Sequence, residues 1–146
     1  MTQGLNQFAM TAEKGQLTLD PNWDTLNCQV DNGQVADLVT AQAVLLATTT
    51  GAQLPVISIT AVTDAIFGFV TYNTRTDSYA ANKQVKIARR GDVMIMEASA
   101  AITRGALLEV LIAGNKVVTK TSGTTIGKAL DIALADGDLI RVEILV

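Results

Sequence analysis

Histidine is absent from this chain of 146 residues, and cysteine occurs once, as Cys28. The absence of histidine excludes a Ser-His-Asp catalytic arrangement, a Cys-His catalytic arrangement and a histidine-ligated zinc site. A single cysteine excludes a disulfide within the chain. Cys28 follows Asn27 in a polar, turn-rich stretch with no neighbouring cation, which indicates a structural thiol and not a nucleophile.

Long hydrophobic runs are also missing, although hydrophobic residues make up 49% of the chain. No run approaches the roughly 18 apolar residues that a membrane-spanning helix needs. The N-terminus lacks the basic region and apolar segment of a secretory signal, so we expect neither a signal peptide nor a membrane partner. The surplus of apolar residues predicts a core together with one or more subunit interfaces.

Positive charge is in slight deficit, with 11 basic residues against 14 acidic ones and a formal net charge of −3. Binding to nucleic acid usually needs the opposite balance, because neutralising phosphates supplies most of the affinity. The one dense basic group is Lys83, Lys86, Arg89 and Arg90, and no aromatic residue is interleaved with it to stack on bases. We interpret this group as a solvated loop beside a strand and predict no nucleic-acid partner.

Three aspartates, Asp131, Asp136 and Asp138, are close together in the sequence. They lack the regular spacing and the closing glutamate of a calcium loop, and Asp136-Gly137-Asp138 is typical of a turn before a final strand. A pair of carboxylates that catalyses glycoside hydrolysis remains an open alternative. However, aromatic residues amount to only 4% of the chain, and no aromatic platform on which a sugar could stack is apparent. Trp23 is predicted to plug a barrel end or an interface. We expect no catalytic residue, metal or cofactor.

The chain contains an internal repeat. Three blocks recur in order: residues 39–45 return as 102–108, residues 67–70 as 126–129, and residues 88–96 as 135–142. Most of the extra length of the first copy lies in residues 73–82, a loop that could also carry a binding activity. Such self-similarity predicts a scaffold built from a doubled β-unit, with function on its outside.

Short apolar stretches rich in Val, Ile, Leu and Thr alternate with turn residues, and no segment offers a crossover helix of adequate length. We therefore predict an all-β fold, a compact barrel or sandwich, and regard an α/β sheet as the poorer fit. Gly68 in mid-strand predicts a bulge or a close backbone approach. Gly114-Asn115 between two apolar runs predicts a hairpin turn.

The N-terminal residues 1–15 lack periodicity and contain isolated apolar side chains, namely Leu5, Phe8 and Met10. We predict a flexible arm over residues 1–15 and a single β-rich domain over residues 16–146. Our hypothesis is that Leu5, Phe8 and Met10 become ordered when they contact a partner, pairing with a neighbouring strand edge.

Several stretches resemble the small capsid decoration, or cement, proteins of tailed bacteriophages. They include residues 64–73 (Asp-Ala-Ile-Phe-Gly-Phe-Val-Thr-Tyr-Asn), residues 91–102 and the closing residues 135–142 (Ala-Asp-Gly-Asp-Leu-Ile-Arg-Val). The resemblance covers about residues 38–146, and residues 1–37 fall outside it.

The resemblance implies a non-enzymatic virion protein, made in the host cytoplasm, that sits on the outer surface of the expanded head. It implies a homotrimer that clamps neighbouring major capsid subunits, with Leu5, Phe8 and Met10 as candidate capsid contacts. Two alternatives remain at this point. One is another β-rich virion component, such as a tail-tube or fibre-base subunit, and the other is a ligand-binding β-barrel or hydrolase with a pocket of convergent polar groups.

Overall fold

The computed structural model describes residues 13–17, 25–49 and 53–146 of the chain. Within these residues the secondary structure consists of strands and turns, with no helix, which confirms the all-β prediction. Twelve strands are formed: β1 Leu26–Val30, β2 Leu38–Val39, β3 Ala43–Leu46, β4 Pro55–Ser58, β5 Gly68–Val70, β6 Ser78–Tyr79, β7 Gln84–Ala88, β8 Val93–Glu97, β9 Leu107–Leu111, β10 Lys116–Thr119, β11 Gly127–Ala129 and β12 Leu139–Ile144. Since no helix is present, none in the described ranges could cross a bilayer.

The first half of the chain forms a closed five-stranded barrel in the order β1-β4-β3-β5-β7. Strands β1 and β4 pair in parallel, and the other pairs are antiparallel. Alternation along β7 explains how a strand of mixed polarity serves this barrel, because Val85 and Ile87 are buried inside while Lys86 is exposed. We call residues 26–88 the first unit.

The second half, residues 93–144, repeats this arrangement and is called the second unit. Its strands follow the order β10-β9-β11-β12-β8, and its two edge strands meet through a parallel bridge between Ala98 and Val117. The Ser99 N–H donates to the Val117 carbonyl at 2.9 Å across that seam. Each strand has a counterpart in the first unit: β8 matches β1, β9 matches β3, β10 matches β4, β11 matches β5 and β12 matches β7.

Matching hydrogen bonds show that the two units share backbone geometry as well as strand order. The Ala41 N–H donates to the Val70 carbonyl at 2.8 Å, and at the corresponding place the Gly105 N–H donates to the Ala129 carbonyl at 2.7 Å. Ala41 and Gly105 both have positive φ, 65° and 85°. The left-handed backbone conformation at this position is therefore common to both units. The second unit has a glycine there, whereas the first unit has an alanine.

Gly68 and Gly127 occupy the same position in β5 and β11, and both lie against the neighbouring strand. A Cβ atom added to Gly127 would lie 2.6 Å from the Glu143 carbonyl oxygen, and one added to Gly68 would collide with the Ala88 carbonyl oxygen. This confirms the predicted close backbone approach at Gly68. The turn at residues 112–115 between β9 and β10 confirms the predicted hairpin.

The repeat is real, but two of its three sequence blocks were placed incorrectly. The cross-strand pairs align Val44 with Leu108, which shifts the first block by one residue. The third block was wrong, since β12 corresponds to β7 and not to β8. Strands β8 and β12 look alike in sequence because both follow a Gly-Asp turn and alternate in burial, yet they are antiparallel neighbours in one barrel.

Two apolar clusters fill the molecule. One lies inside the first unit and includes Cys28, Val30 and Ile87. The other fills the second unit and continues across the junction, where it incorporates Phe69 and Ile66 of the first unit. Because this core is shared, the two units pack against each other as one hydrophobic body.

Candidate interaction surface

The residues that could carry chemistry are dispersed over the described parts of the chain. These parts contain no group of three or more Cys, Asp or Glu side chains that could hold a metal ion. Cys28 is 2% exposed inside the first barrel, and burial raises the pKa of its thiol above the ordinary value. A buried thiol held in its protonated form suits a structural role.

The three clustered aspartates turn to three different partners. Asp131 receives two hydrogen bonds from the Arg141 guanidinium, at 2.7 and 2.8 Å, and this partner lowers the pKa of Asp131 to about 2. Asp136 pairs with Lys116 at 2.7 Å. Asp138 accepts the N–H groups of residues 134 and 135 and closes the turn before β12, which confirms the predicted turn.

The basic residues of the predicted solvated group have different surroundings. Lys86 is exposed on β7, whereas the Arg89 guanidinium stacks over the Phe67 ring at 3.8 Å from its centre. The Arg90 side chain donates to the Leu145 carbonyl at 3.0 Å, near the end of the second unit. Two of the four basic side chains thus serve contacts within the fold.

Buried apolar side chains of the described residues occupy the barrel interiors. A groove of about 480 Å³ lies outside the first barrel, and its lining includes Asn73, Thr74, Gln84 and Lys86. It opens along the start of the 73–82 loop. Ligand pockets are usually enclosed and lined mostly by apolar side chains, so an open outer groove with a polar lining is not typical of a ligand-binding barrel.

Glu109 is a buried carboxylate that sequence reasoning missed. It is 7% exposed on β9, where it accepts N–H groups from Thr121, Ser122 and Gly123 and the Thr121 hydroxyl. These hydrogen bonds, led by that of the Thr121 N–H, lower the pKa of Glu109 despite its burial. Its partners are backbone groups of one loop, so the carboxylate anchors that loop. A lone Glu within the apolar run of β9 was the available signal.

The short segment of residues 13–17 lies on the free side of β8. The Gly15 N–H donates to the Ile95 carbonyl at 2.6 Å, and the Ile95 N–H donates to the Gln16 carbonyl at 2.8 Å. The Tyr72 N–H donates to the Gly15 carbonyl at 2.9 Å, so the segment joins both units. Gly15 is buried with φ of 80°, and a Cβ there would collide with the Thr40 side chain.

Lysine and acidic side chains form an ionic network where that segment reaches the second unit. Lys14 donates to the Gly114 carbonyl at 2.7 Å and lies 3.4 Å from Glu97. Lys116 contacts Glu97 at 2.9 Å and Asp136 at 2.7 Å. The network of two lysines and two carboxylates is neutral overall, and it joins the N-terminal segment to strands β8 and β10.

All of these groups lie around the seam where β8 meets β10, and we call this patch the second rim. The rim consists of Glu97, the turn 112–115 with the flanking Leu111 and Lys116, and the loop and strand start at 131–139. The pairs Glu97–Leu139 and Lys116–Leu111 place these strand ends side by side. Large apolar side chains are exposed around the rim: Leu111 at 40%, Ile112 at 37%, Ile132 at 53%, Leu134 at 82% and Leu139 at 42%.

The predicted contact residues Leu5, Phe8 and Met10, and also Trp23, lie outside the described residues. Of the predicted arm, residues 13–15 are described, as part of the 13–17 segment. The second rim was not singled out from the sequence, because its members come from three separate stretches that only the barrel brings together.

Comparison with known protein families identifies a match. The sequence profile of the phage cement protein family covers residues 29–144, which is most of both units. No curated protein matches the chain. The matched range extends beyond the resemblance noted from the sequence at its N-terminal side, since it begins within β1. The chain therefore belongs to the phage cement protein family, the capsid-associated structural proteins of phage virions.

Proposed function

We propose that this protein binds the outer surface of the expanded phage head as a homotrimer and clamps neighbouring major capsid subunits. The observation that carries the proposal is the second rim, where large apolar side chains surround a self-neutralised ionic network. Exposed apolar clusters of this kind mark protein–protein contacts. Family membership over residues 29–144 supports a capsid as the partner.

The mechanism of stabilisation is multivalent binding. A trimer that touches several capsid subunits gains avidity of roughly 10²–10⁴ over one contact, provided that its sites match the lattice spacing. Because the protein binds the assembled lattice and not free subunits, mass action stabilises the lattice. The partners in this proposal are the major capsid protein and further copies of the chain, and neither nucleic acid nor membrane takes part.

Residues 1–15 contribute to the contact in this proposal, through Leu5, Phe8 and Met10. The segment 13–17 supports this role, since its hydrogen bonds to Ile95 and Tyr72 fix the point from which the preceding residues depart. Chain that orders only on binding pays its ordering entropy at that moment, so its contribution depends on an available acceptor surface.

The test is co-sedimentation of the purified protein with expanded empty heads that lack it, with unexpanded heads as the comparison. We expect saturable binding to expanded heads, a trimer mass by light scattering, and a higher temperature of head disruption when the protein is bound. A monomer that ignores expanded heads would contradict the proposal.

The arm is tested separately by removing residues 2–12, which leaves the 13–17 segment in place. We expect weaker binding to expanded heads with unchanged thermal stability of the free protein. Wild-type occupancy by the shortened protein would eliminate the arm contact while leaving the head-binding proposal intact.

A further inference from the structure

We infer that the second rim is the surface that faces the major capsid subunit. This inference rests on the proposed function and names the contact face within it. Assigning this face needs three observations: a large, exposed apolar surface, a reason to choose this part of the molecule over the first unit, and a partner of matching chemistry.

The N-terminal segment is attached to the second rim. Lys14 is tied to the Gly114 carbonyl and to Glu97 of the rim, and Gly15 is hydrogen bonded to Ile95. The twelve residues before Glu13 therefore start beside the rim. Fully extended, they reach at most roughly 40–43 Å. A lattice surface that the arm contacts must lie within this distance of Glu13, which is beside the rim.

The internal repeat provides a built-in comparison, because both units have the same rim in backbone terms. Leu139 pairs with Glu97 as Gln84 pairs with Gln29, so Gln84 is the first-unit counterpart of Leu139. Leu134 follows the bridge residue Ala133 as Ala80 follows Tyr79. Leucines of the second unit thus stand where the first unit has a glutamine and an alanine.

The β9–β10 turn differs in the same direction. Leu111 and Ile112 correspond to Ala47 and Thr48 at the end of β3, since the Ala47 N–H donates to the Pro55 carbonyl where Leu111 pairs with Lys116. One position is reversed, because the exposed Leu54 of the first unit corresponds to Asn115. The barrel topology does not depend on the rim leucines, since the first unit has the same strand order without leucines at these positions. A contact outside the chain explains their presence.

The charges on the rim indicate the chemistry of the partner. Lys14, Lys116, Glu97 and Asp136 satisfy one another, and Asp131 is occupied by Arg141. Asp138, also on the rim, accepts backbone N–H groups of its own turn. The rim therefore offers little uncompensated charge to an opposing surface. The fitting partner is an apolar patch on the capsid subunit, and binding through it should depend weakly on salt.

The experiment replaces rim residues by their own first-unit counterparts. The test variant is Leu134→Ala with Leu139→Gln, and the matched control is Leu54→Asn with Val35→Gln, which alters two exposed apolar residues of the first unit. Binding to expanded heads is measured by co-sedimentation at low and high salt, with oligomeric mass and thermal stability measured on the same samples. We expect at least about tenfold weaker binding for the test variant and about twofold or less for the control.

Three outcomes would overturn the inference. Test-variant binding within about twofold of wild type would show that the rim does not face the capsid. Loss of the trimer by the test variant at low protein concentration would assign the rim to contacts between copies. Failure of the wild-type protein to bind expanded heads would remove the proposed function together with the inference, whereas the first two outcomes leave that function standing.

Discussion

Glu97 and Lys116 form an ion pair of 2.9 Å across the seam where β8 meets β10. Their first-unit counterparts, Gln29 and Pro55, lie at the same place but belong to a regular parallel pairing of β1 with β4. In the second unit the backbone supplies only the Ala98–Val117 bridge. A side-chain ion pair thus completes the closure that backbone pairing provides in the first unit.

Replacing Lys116 by Met should loosen the second seam without emptying the core. The substitution keeps the length of the side chain but removes the contacts with Glu97 and Asp136. We expect a few-fold faster hydrogen exchange of the Ser99 amide, which crosses the seam, and little change at the Asp31 amide, its first-unit counterpart. Equal acceleration at both amides would indicate global destabilisation and contradict this assignment.

Asp131 should make the stability of the protein depend on acid pH. The Arg141 hydrogen bonds lower the pKa of Asp131 from 3.8 to about 2, so folding favours the carboxylate. This contribution is fully present above about pH 4 and is lost as the pH falls from about 4 to about 2. The difference in thermal midpoint between wild type and Asp131→Asn should therefore shrink over that window.

A double-variant cycle isolates the pair from other acid effects. In an Arg141→Gln background, Asp131→Asn should produce a much smaller pH-dependent difference, because the partner that lowers the pKa is gone. An unchanged difference in that background would mean that Arg141 is not the cause.

Gly127 should resist substitution for steric reasons alone. An alanine Cβ would meet the Glu143 carbonyl oxygen and the Val142 side chain, each at 2.6 Å, so we expect Gly127→Ala to cost about 1–3 kcal/mol of unfolding free energy. Gly137→Ala is the control, since nothing lies within 4 Å of its added Cβ and only its φ of 93° opposes the change. Its cost should be about 1 kcal/mol. Denaturant unfolding measures both, and equal costs would refute the steric argument.

The sequence predicted the fold class because strand and turn signals are local, and the duplication because buried positions repeat. Gly68 could be matched with Gly127 from the sequence, because only glycine fits where the backbones of two strands approach closely. The third block of the repeat was matched incorrectly because β8 and β12 have the same alternation in burial. Strands in equivalent positions of two copies share such an alternation, but β8 and β12 are paired neighbours within one barrel. Register between copies depends on cross-strand partners, which a single sequence does not contain.

The second rim illustrates a different limit. The sequence identifies each of the rim leucines only as a strand or loop residue, and their exposure follows only from barrel closure; they are Leu111, Leu134 and Leu139. Glu97 and Lys116, which are far apart in sequence, meet through that same closure. The surplus of apolar residues in the composition predicts an interface, but which apolar side chains are exposed together depends on tertiary pairing.

Glu109 should be required for the loop of residues 121–123 and dispensable for the rim. Glu109→Ala leaves the N–H groups of that loop without their acceptor, and we expect a loss of about 1–3 kcal/mol in unfolding free energy. Glu109→Gln keeps a carbonyl acceptor and should lose less. Hydrogen exchange should accelerate at Ser122 and Gly123 in the alanine variant, while the Ile95 amide, held by the Gln16 carbonyl, stays protected. Because the hydrogen-bond partners of Glu109 lie in the loop and not on the rim, head binding by folded Glu109→Gln should match wild type, and a large loss would move the contact face to the loop of residues 121–123.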